Sequence, residues 1–472
     1  MPSSTLQPNR QPLTAGFEDQ PGPSLIAFVG ALSAATLPAD VVRMAQTCLL
    51  DSIGCGLFGA GMEWSRIVAD EMIAEGAQGR ASVFGRKEQL AAPAAALCNG
   101  TASHGYELDD LIAGSVVHPG ATVIPAALAA AEAADAPGSR LIEAIVAGYE
   151  VTHRVGMAIG TEAAKRGFHT TSLVAPVACA AAAGVAMGLP QDKLLSAVGL
   201  ACSTAAGIKN FATGHGGGMV KRLHIGRSAE AGVRVAQLAR AGFAGPPLAI
   251  DGRFGLLEIY GGAGADAGQL VVDLGQDWAM RRVWFKVYPV CGWIQTVIQQ
   301  LVALRGANAL EPDQITAVRV GVSRYAVQNN GEPAPIDTMG AQYSIPYCAA
   351  LSLLGNPSDP KSYQRKTVHD PRIRALAAKV EVFVDPEVEA VYPAKFGASV
   401  SLRLANGEER ASTVLDCHGT PSDPCSDAEM RDKFKRLSAG RLPEDRADRL
   451  AAVVSTLPTL SSVRLLTGIL AA

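Results

Sequence analysis

The residues able to do chemistry lie together in one stretch, Asn99 to Pro125, which reads NGTASHGYELDDLIAGSVVHPGATVIP. His104, Glu107, Asp109, Asp110 and His118 fall within fifteen residues. Ala-rich apolar sequence flanks them on both sides, and such sequence is normally buried. A charge enclosed by apolar surroundings must be paired, hydrated or used, because an unpaired buried charge is costly. Imidazole titrates near neutral pH and can move protons, and a neighbouring carboxylate can orient it. Acid/base or substrate-binding chemistry is therefore one reading, and a structural or solvated loop is another. A third is a metal-dependent hydrolase using His104, Asp109, Asp110 and His118, since imidazole and carboxylate suit divalent metals. The spacing fits no HExxH-type signature. His118 precedes Pro119-Gly120, which sets a turn.

The opposite charge comes from elsewhere in the chain. Thr213 to His224 is a glycine-rich run ending in Lys221, Arg222 and His224, and helical sequence follows it. Free backbone N–H groups beside a helix start attract anions, carboxylate as readily as phosphate. The GK[ST] ending of a Walker loop is absent. Lys286, in WFKVYPVCGW with Cys291, sits where the texture of the sequence changes, and clefts between domains are favoured ligand sites. His169 precedes an apolar helix, a place where a lone histidine commonly serves as a core or cap residue. Gly54 to Gly59 spells GxGxxG, but helical rather than strand-like sequence precedes it. That points to packing glycines and not to a dinucleotide site.

The elements that must position these groups are mostly helices. From Ser24 to about Gly275 the pattern predicts a tight bundle of Ala- and Gly-rich helices. These include 39–61, Thr122–Ala134, Leu141–Ile159, Thr171–Met187, Gln191–Phe211 and Ile225–Ala241. Near residue 280 the texture changes. Alternating strands are predicted at Ile315–Ser323, Lys379–Asp385, Ser399–Leu404 and Arg410–Leu415, the last two joined by an Asn406-Gly407 hairpin. Helices at Ala341–Leu354 and Asp370–Ala378 separate the first two strands. The fold class is mainly α with an α+β second domain. Residues 1–22 are expected to be a disordered N-terminus. Residues 23–281 with 417–472 form a discontinuous all-helical bundle domain, and 282–416 a smaller α/β lid domain.

Composition bounds the function. The 472 residues are 48% hydrophobic and 18% charged, with a net charge of −3, so a large core is available. No Lys/Arg block is present, which argues against a nucleic-acid partner. Nine cysteines, with no CxxC, read as reduced thiols in a cytoplasmic protein. The longest apolar run, Leu173–Leu189, is Ala-, Gly- and Val-rich and contains Pro176. It is expected to be a buried helix, with no membrane span.

Four ordered motifs carry a resemblance over nearly the whole chain: ELDD…HPG, GFHTTS at 167–172, GGMVKRLHIGRSAEAG at 217–232 and FKVYPVCG at 285–292. LLDSIGCGLFG, AQYSIPYCAALSLL and PSDPCSDAEMRDKF also fit. Together they resemble the MmgE/PrpD family, which includes 2-methylcitrate dehydratases, cis-aconitate decarboxylases and an iminodisuccinate epimerase. The resemblance implies a helical domain with an α/β lid, a homodimer, an active site between the domains, and no metal or organic cofactor. It implies His118, His169, Asp110, Glu107 and Tyr347 as catalytic residues. It implies Lys221 and Lys286 as active-site lysines, and with Arg222, Cys291 and His224 these are the expected substrate-binding residues. Glu107 sits where the decarboxylases have aspartate. Cys291 stands where animal-type decarboxylases have histidine and where fungal ones resemble this chain in having cysteine. The expected activity is that of a lyase on a small di- or tricarboxylate, by proton transfer next to a carboxylate. Dehydration of a 2-methylcitrate-like acid stands first, with decarboxylation or epimerisation as alternatives.

Overall fold

The computed structural model describes residues 16–213 and 217–470. The first helices are α1 (Pro21–Gly30), α2 (Ala39–Gly59), α3 (Glu63–Ala74), α4 (Ala92–Ser103), α5 (Gly120–Ala134) and α6 (Gly138–Ile159). Then come α7 (Glu162–Lys165), α8 (Thr170–Ala186), α9 (Gln191–Cys202), α10 (Met219–Ala241) and α11 (Gly292–Arg305). The short helices α12 (Arg324–Asn330), α13 (Thr338–Tyr343), α14 (Ile345–Leu354), α15 (Arg365–Val368), α16 (Pro371–Ala377) and α17 (Pro386–Val391) accompany the main sheet. The chain closes with α18 (Asp427–Ser438), α19 (Glu444–Ser455) and α20 (Arg464–Leu470). The architecture is mainly α with an α+β region.

One hydrophobic core joins α1–α10 to α18–α20, and a second is built from α11–α16 and the main sheet. The second core reaches into the first through Cys55, Tyr106, Leu108 and Leu437. That sheet has the order β4-β3-β5-β6, formed by β3 (Ile315–Val322), β4 (Val380–Val384), β5 (Ala398–Leu404) and β6 (Glu409–Val414). β3 and β4 run parallel, so the helices between them provide the crossover; the other pairs are antiparallel. Gly407 takes φ +88°, which the hairpin between β5 and β6 demands and a side chain would resist. A small pair, β1 (Gln78–Ser82) with β2 (Gln89–Leu90), lies within the helical part, where no strand was expected.

Several boundaries differ from the expectation. Of the segment 1–22, residues 1–15 lie outside the described residues, and α1 already begins at Pro21. The helix expected to reach Phe211 stops at Cys202. There Thr204 Oγ1 donates to the Ala201 carbonyl, and the chain then pairs with the segment before α8: His169 N–H donates to Gly207 O (3.0 Å) and Lys209 N–H to Gly167 O (2.7 Å). α10 starts at Met219, six residues early, so Lys221, Arg222 and His224 are helical and do not sit in a loop. Of the glycine-rich run, residues 214–216 lie outside the described residues. Ala341–Leu354 is two helices, because Ser344 accepts from Tyr347 N–H and caps a new helix with Pro346 in its first turn. The GxGxxG glycines are inside α2, packed against Phe434, Phe84 and Ala102. The Ala/Val run lies in α8, every residue of which is buried. Among the described helices only α2 is long and apolar enough by composition to cross a membrane, and 67% of its apolar window is buried in the protein.

Two glycines set the distance on which the site depends. α4 and α10 meet where Gly100 faces Gly226: a Cβ on Gly100 would lie 3.0 Å from the Gly226 Cα. A Cβ on Gly226 would run into Thr101 Oγ1 and the Leu97 carbonyl oxygen. α4 ends at Ser103, next to His104, and α10 carries Lys221 in its first turn. Gly226→Ala is therefore expected to destabilise the protein by about 1–3 kcal/mol, the usual cost of overpacking. A denaturant midpoint equal to wild type would show that the crossing is looser than this.

Candidate active site

The connection from α4 to α5, residues 104–119, is a buried loop with two unusual backbone positions. Glu107 and Val116 adopt φ of +56° and +52°, a region that non-glycine residues avoid and a β-branched residue avoids most. Such strain persists where surrounding contacts enforce it. Here Leu111 pairs with Trp284, Ile112 with Val117, and Lys433 Nζ on α18 donates to the Leu108 carbonyl (2.7 Å).

These contacts fix a charged cluster in which Glu107, Asp109, His104, Lys221 and Lys286 are buried and only His118 is partly exposed. Glu107 accepts from Lys221 Nζ on one oxygen and from Lys286 Nζ (3.2 Å) on the other. Lys286 Nζ is also 3.7 Å from Asp109 Oδ1. Asp109 Oδ2 accepts from His104 Nδ1 (2.8 Å) and lies 3.0 Å from His118 Nδ1, which also reaches the Asp110 carbonyl oxygen (3.1 Å). Carboxylate and carbonyl oxygens only accept, so both imidazoles carry their proton on Nδ1. Nε2 of His118 is left as its basic nitrogen, and Nε2 of His104 is buried with no hydrogen-bond partner among the described residues.

A cavity of about 80 Å³ opens beside this cluster. His118, His169, Lys209, Phe211 and Lys221 line it from the helical part, and Trp293, Tyr325 and Tyr343 from the sheet-bearing part. A wider cavity of about 700 Å³ adjoins it, sharing Phe211, Ala212 and Tyr343.

Residues 24–266 match the MmgE/PrpD N-terminal domain and residues 288–459 the MmgE/PrpD C-terminal domain. The chain belongs to the MmgE/PrpD family. It is 28% identical over 465 residues to a cis-aconitate decarboxylase-like protein, oryM, of Aspergillus oryzae, covering 93% of this chain and 95% of the relative. Cis-aconitate decarboxylase of Mus musculus is 28% identical over 465 residues, covering 95% and 92%. A 2-methylcitrate dehydratase of Cupriavidus necator is 24% identical over 398 residues, covering 79% of each chain. The names of these relatives, decarboxylase and dehydratase, are those of lyases.

Of the residues expected in this MmgE/PrpD site, His118, His169 and Lys221 line the cavity. The others stand behind it or point elsewhere. Glu107 and Lys286 form the ionic layer beneath Lys221. The Asp110 carboxylate is turned from His118: it accepts from Gly120 N–H at the start of α5 (2.7 Å) and from the Tyr149 hydroxyl (2.6 Å). Asp109 is the carboxylate that orients His118. Arg222, one residue from Lys221 and so about 100° around the helix, lies over Trp64 (4.9 Å) and donates to Gly218 O (2.7 Å) and Gln342 Oε1 (3.3 Å). His224 is outside the lining, its Nδ1 3.4 Å from that of His169. Cys291 is buried at the N-cap of α11; burial and the Glu107 charge push its thiol up to about 11, so it stays protonated. Tyr347 donates to Ser362 O (2.6 Å) in the second core, and Tyr343 takes the place expected of it. The Ser344-Ile345-Pro346 break is the signal that separates the two tyrosines. Lys209 and Tyr325 lie in no motif, whereas Trp293 and Tyr343 lie inside two of them, WFKVYPVCGW and AQYSIPYCAALSLL, but are not among the residues expected in the site.

The electrostatics follow from burial. Burial alone would raise the Glu107 carboxyl, but Lys221 and Lys286 outweigh it and hold it well below the usual range. His104, Lys286 and His118 do the same for Asp109 against its burial. Burial lowers Lys221 despite Glu107, while Glu107 and Asp109 overcome burial at Lys286 and raise it. Burial lowers His118, lowers His169 well below its usual value, and brings His104 to about 4, so all three are neutral at pH 7. His104, Asp109 and His118 offer ligand atoms within 4.8 Å of one another, enough for a metal ion, but the Lys286 ammonium already occupies the flank of Asp109 and would oppose a dication.

Burial pushes Asp110 up to about 7 from an ordinary 3.8. A carboxyl raised on folding contributes stability below its unfolded pKa, and this is lost as pH rises through the folded value. Asp110→Asn keeps an oxygen for Gly120 N–H and cannot ionise. The melting temperature of wild type is therefore expected to fall relative to that of Asp110→Asn as pH rises from about 4 to about 7. Parallel pH curves for the two proteins in a thermal-shift series would contradict the buried placement of this carboxyl.

Proposed function

We propose that this protein is a lyase acting on a small di- or tricarboxylate by proton transfer at a carbon next to a carboxylate. The observation that carries the reading is the convergence of His118, seated on Asp109, and Lys221, seated on Glu107, on one cavity between the two cores. Lys221 binds a substrate carboxylate and stabilises negative charge as it develops. Preorganised charge in a site closed to water acts most strongly there. Neutral His118 carries the proton through Nε2, and Asp109 stabilises the imidazolium that results. Tyr343 keeps its proton, because burial and the nearby Glu107 raise it well above the usual phenol value; it serves as a donor. His169 lies on the same cavity as a second neutral imidazole. These side chains supply binding and proton movement without a cofactor.

Two outcomes fit this machinery. In decarboxylation the C–C bond to one carboxylate breaks, carbon dioxide leaves, and the electron pair spreads onto the conjugated acid before a proton is delivered to carbon. In dehydration His118 takes the C–H proton, and the hydroxyl leaves as water with a proton from a donor such as Tyr343. Five relatives named cis-aconitate decarboxylase or decarboxylase-like cover 90–95% of this chain, and three named 2-methylcitrate dehydratase cover 52–87%. That difference favours decarboxylation of a cis-aconitate-like acid over dehydration of a 2-methylcitrate-like one, reversing the order taken from the sequence.

The test is an assay of the purified protein with both acids, scored for carbon dioxide release and water loss in the presence of a chelator. Turnover of one acid, unaffected by the chelator, is expected. His118→Ala and Lys221→Ala should each reduce turnover at least about a hundredfold. Tyr343→Phe should reduce it more than Tyr347→Phe. Near-wild-type rates for both alanine variants would remove this mechanism, and activity that the chelator abolishes would favour the metal-dependent alternative.

A further inference from the structure

The charge balance of the cavity leaves one cation without a counter-charge. Lys221 and Lys286 are matched by Glu107 and Asp109. The cavity's other cation is Lys209, half-buried at the start of the 3-10 turn Lys209–Thr213. Among the described residues no carboxylate lies within ion-pair distance of it. Its Nζ donates to the Tyr325 hydroxyl and to Asn329 Oδ1 (3.2 Å), both neutral, and sits 4.7 Å from the centre of the Tyr325 ring. Arg222 also lacks a carboxylate, but it lies over Trp64, outside the cavity.

The backbone places Lys209 deliberately. Its N–H donates to Gly167 O, while His169 N–H donates to Gly207 O, so the two short segments run side by side and deliver Lys209 and His169 to the same cavity. Asn329, its partner, lines the wider adjoining cavity. Lys209 therefore stands where the inner cavity meets the outer one, and it joins the helical part to α12 of the sheet-bearing part.

We propose that Lys209 is a specificity-determining binding residue that holds a second substrate carboxylate, one remote from the reacting carbon, and so selects polycarboxylates over monocarboxylates. This deepens the lyase reading and rests on it. An anionic group entering the cavity meets in Lys209 an ammonium it can pair with without displacing a resident carboxylate. At Lys221 the incoming group shares the cation with Glu107. Neutral partners hold the Lys209 side chain in place until then, so little ordering remains to be done on binding.

The proposal is tested by calorimetric titration of the full-length protein with two unreactive probes, tricarballylate and butyrate. Wild type is expected to bind tricarballylate far more tightly than butyrate. Lys209→Gln keeps polar contact with Tyr325 and Asn329 but removes the charge; it should narrow that preference about 10- to 100-fold, the usual weight of a charge-assisted hydrogen bond. Lys209→Arg should restore most of it. An unchanged preference in a folded Lys209→Gln protein, checked by its melting temperature, would overturn the role of Lys209 and leave the carboxylate-lyase reading standing. If Lys209→Gln does not fold, failure of Lys209→Arg to keep the preference would overturn it equally. Wild type that binds neither probe would overturn both.

Discussion

A carboxylate shut away from water between two ammonium groups is the constraint on which the site depends. Glu107 has one oxygen on Lys221 and the other on Lys286, and all three side chains are buried. Charges placed this way tolerate no partial assembly: removing one partner of a buried pair typically costs about 3–5 kcal/mol, because the other is left uncompensated. The three residues come from the α4–α5 loop, from α10, and from the segment leading to α11. Their pairing therefore ties the close α4–α10 crossing, the strained loop and the junction between the two cores into one unit. The positive φ at Glu107 is the local cost of turning its side chain into that layer.

From that layer the rest of the chemistry follows by steps of one ion pair or hydrogen bond. Lys286 reaches Asp109, Asp109 seats His104 and His118, and His118 stands on the cavity. The proton carrier and the principal cation are thus each held from behind by a buried carboxylate, which limits the reorganisation needed when charge develops. Asp110, adjacent in sequence to Asp109, does different work. It ties the loop to Gly120 at the start of α5 and to Tyr149 on α6, so that the loop returns His118 to Asp109.

The two cores contribute unequally. Of the cavity lining, the helical part supplies His118, His169, Lys209 and Lys221, and the sheet-bearing part an aromatic wall of Trp293, Tyr325 and Tyr343. Lys209 crosses from the first to the second through Tyr325 and Asn329. A cavity with charge on one side and aromatic surface on the other suits an acid whose carboxylates are gripped while its reacting carbon is kept from water.

Much was legible in the sequence alone. Alternating valines marked β3 and β4, Asn406-Gly407 marked the hairpin, and the Ala-rich periodic stretches marked the bundle, because strand and helix periods and turn conformations are local properties of the chain. The concentration of charge between apolar flanks marked 104–118 as a site, because buried charge must have partners. Which partners it has was decided only by tertiary structure. Asp109 and Asp110 are neighbours in sequence and face opposite ways; Lys221 and Arg222 are neighbours on a helix, and only one lines the cavity; Tyr343 and Tyr347 are separated by a helix break. Composition carries no record of which way a side chain points when its direction is set by partners on other elements, and Lys209, which belongs to no motif, acquires its place only when Gly207 and Lys209 pair with the segment carrying His169.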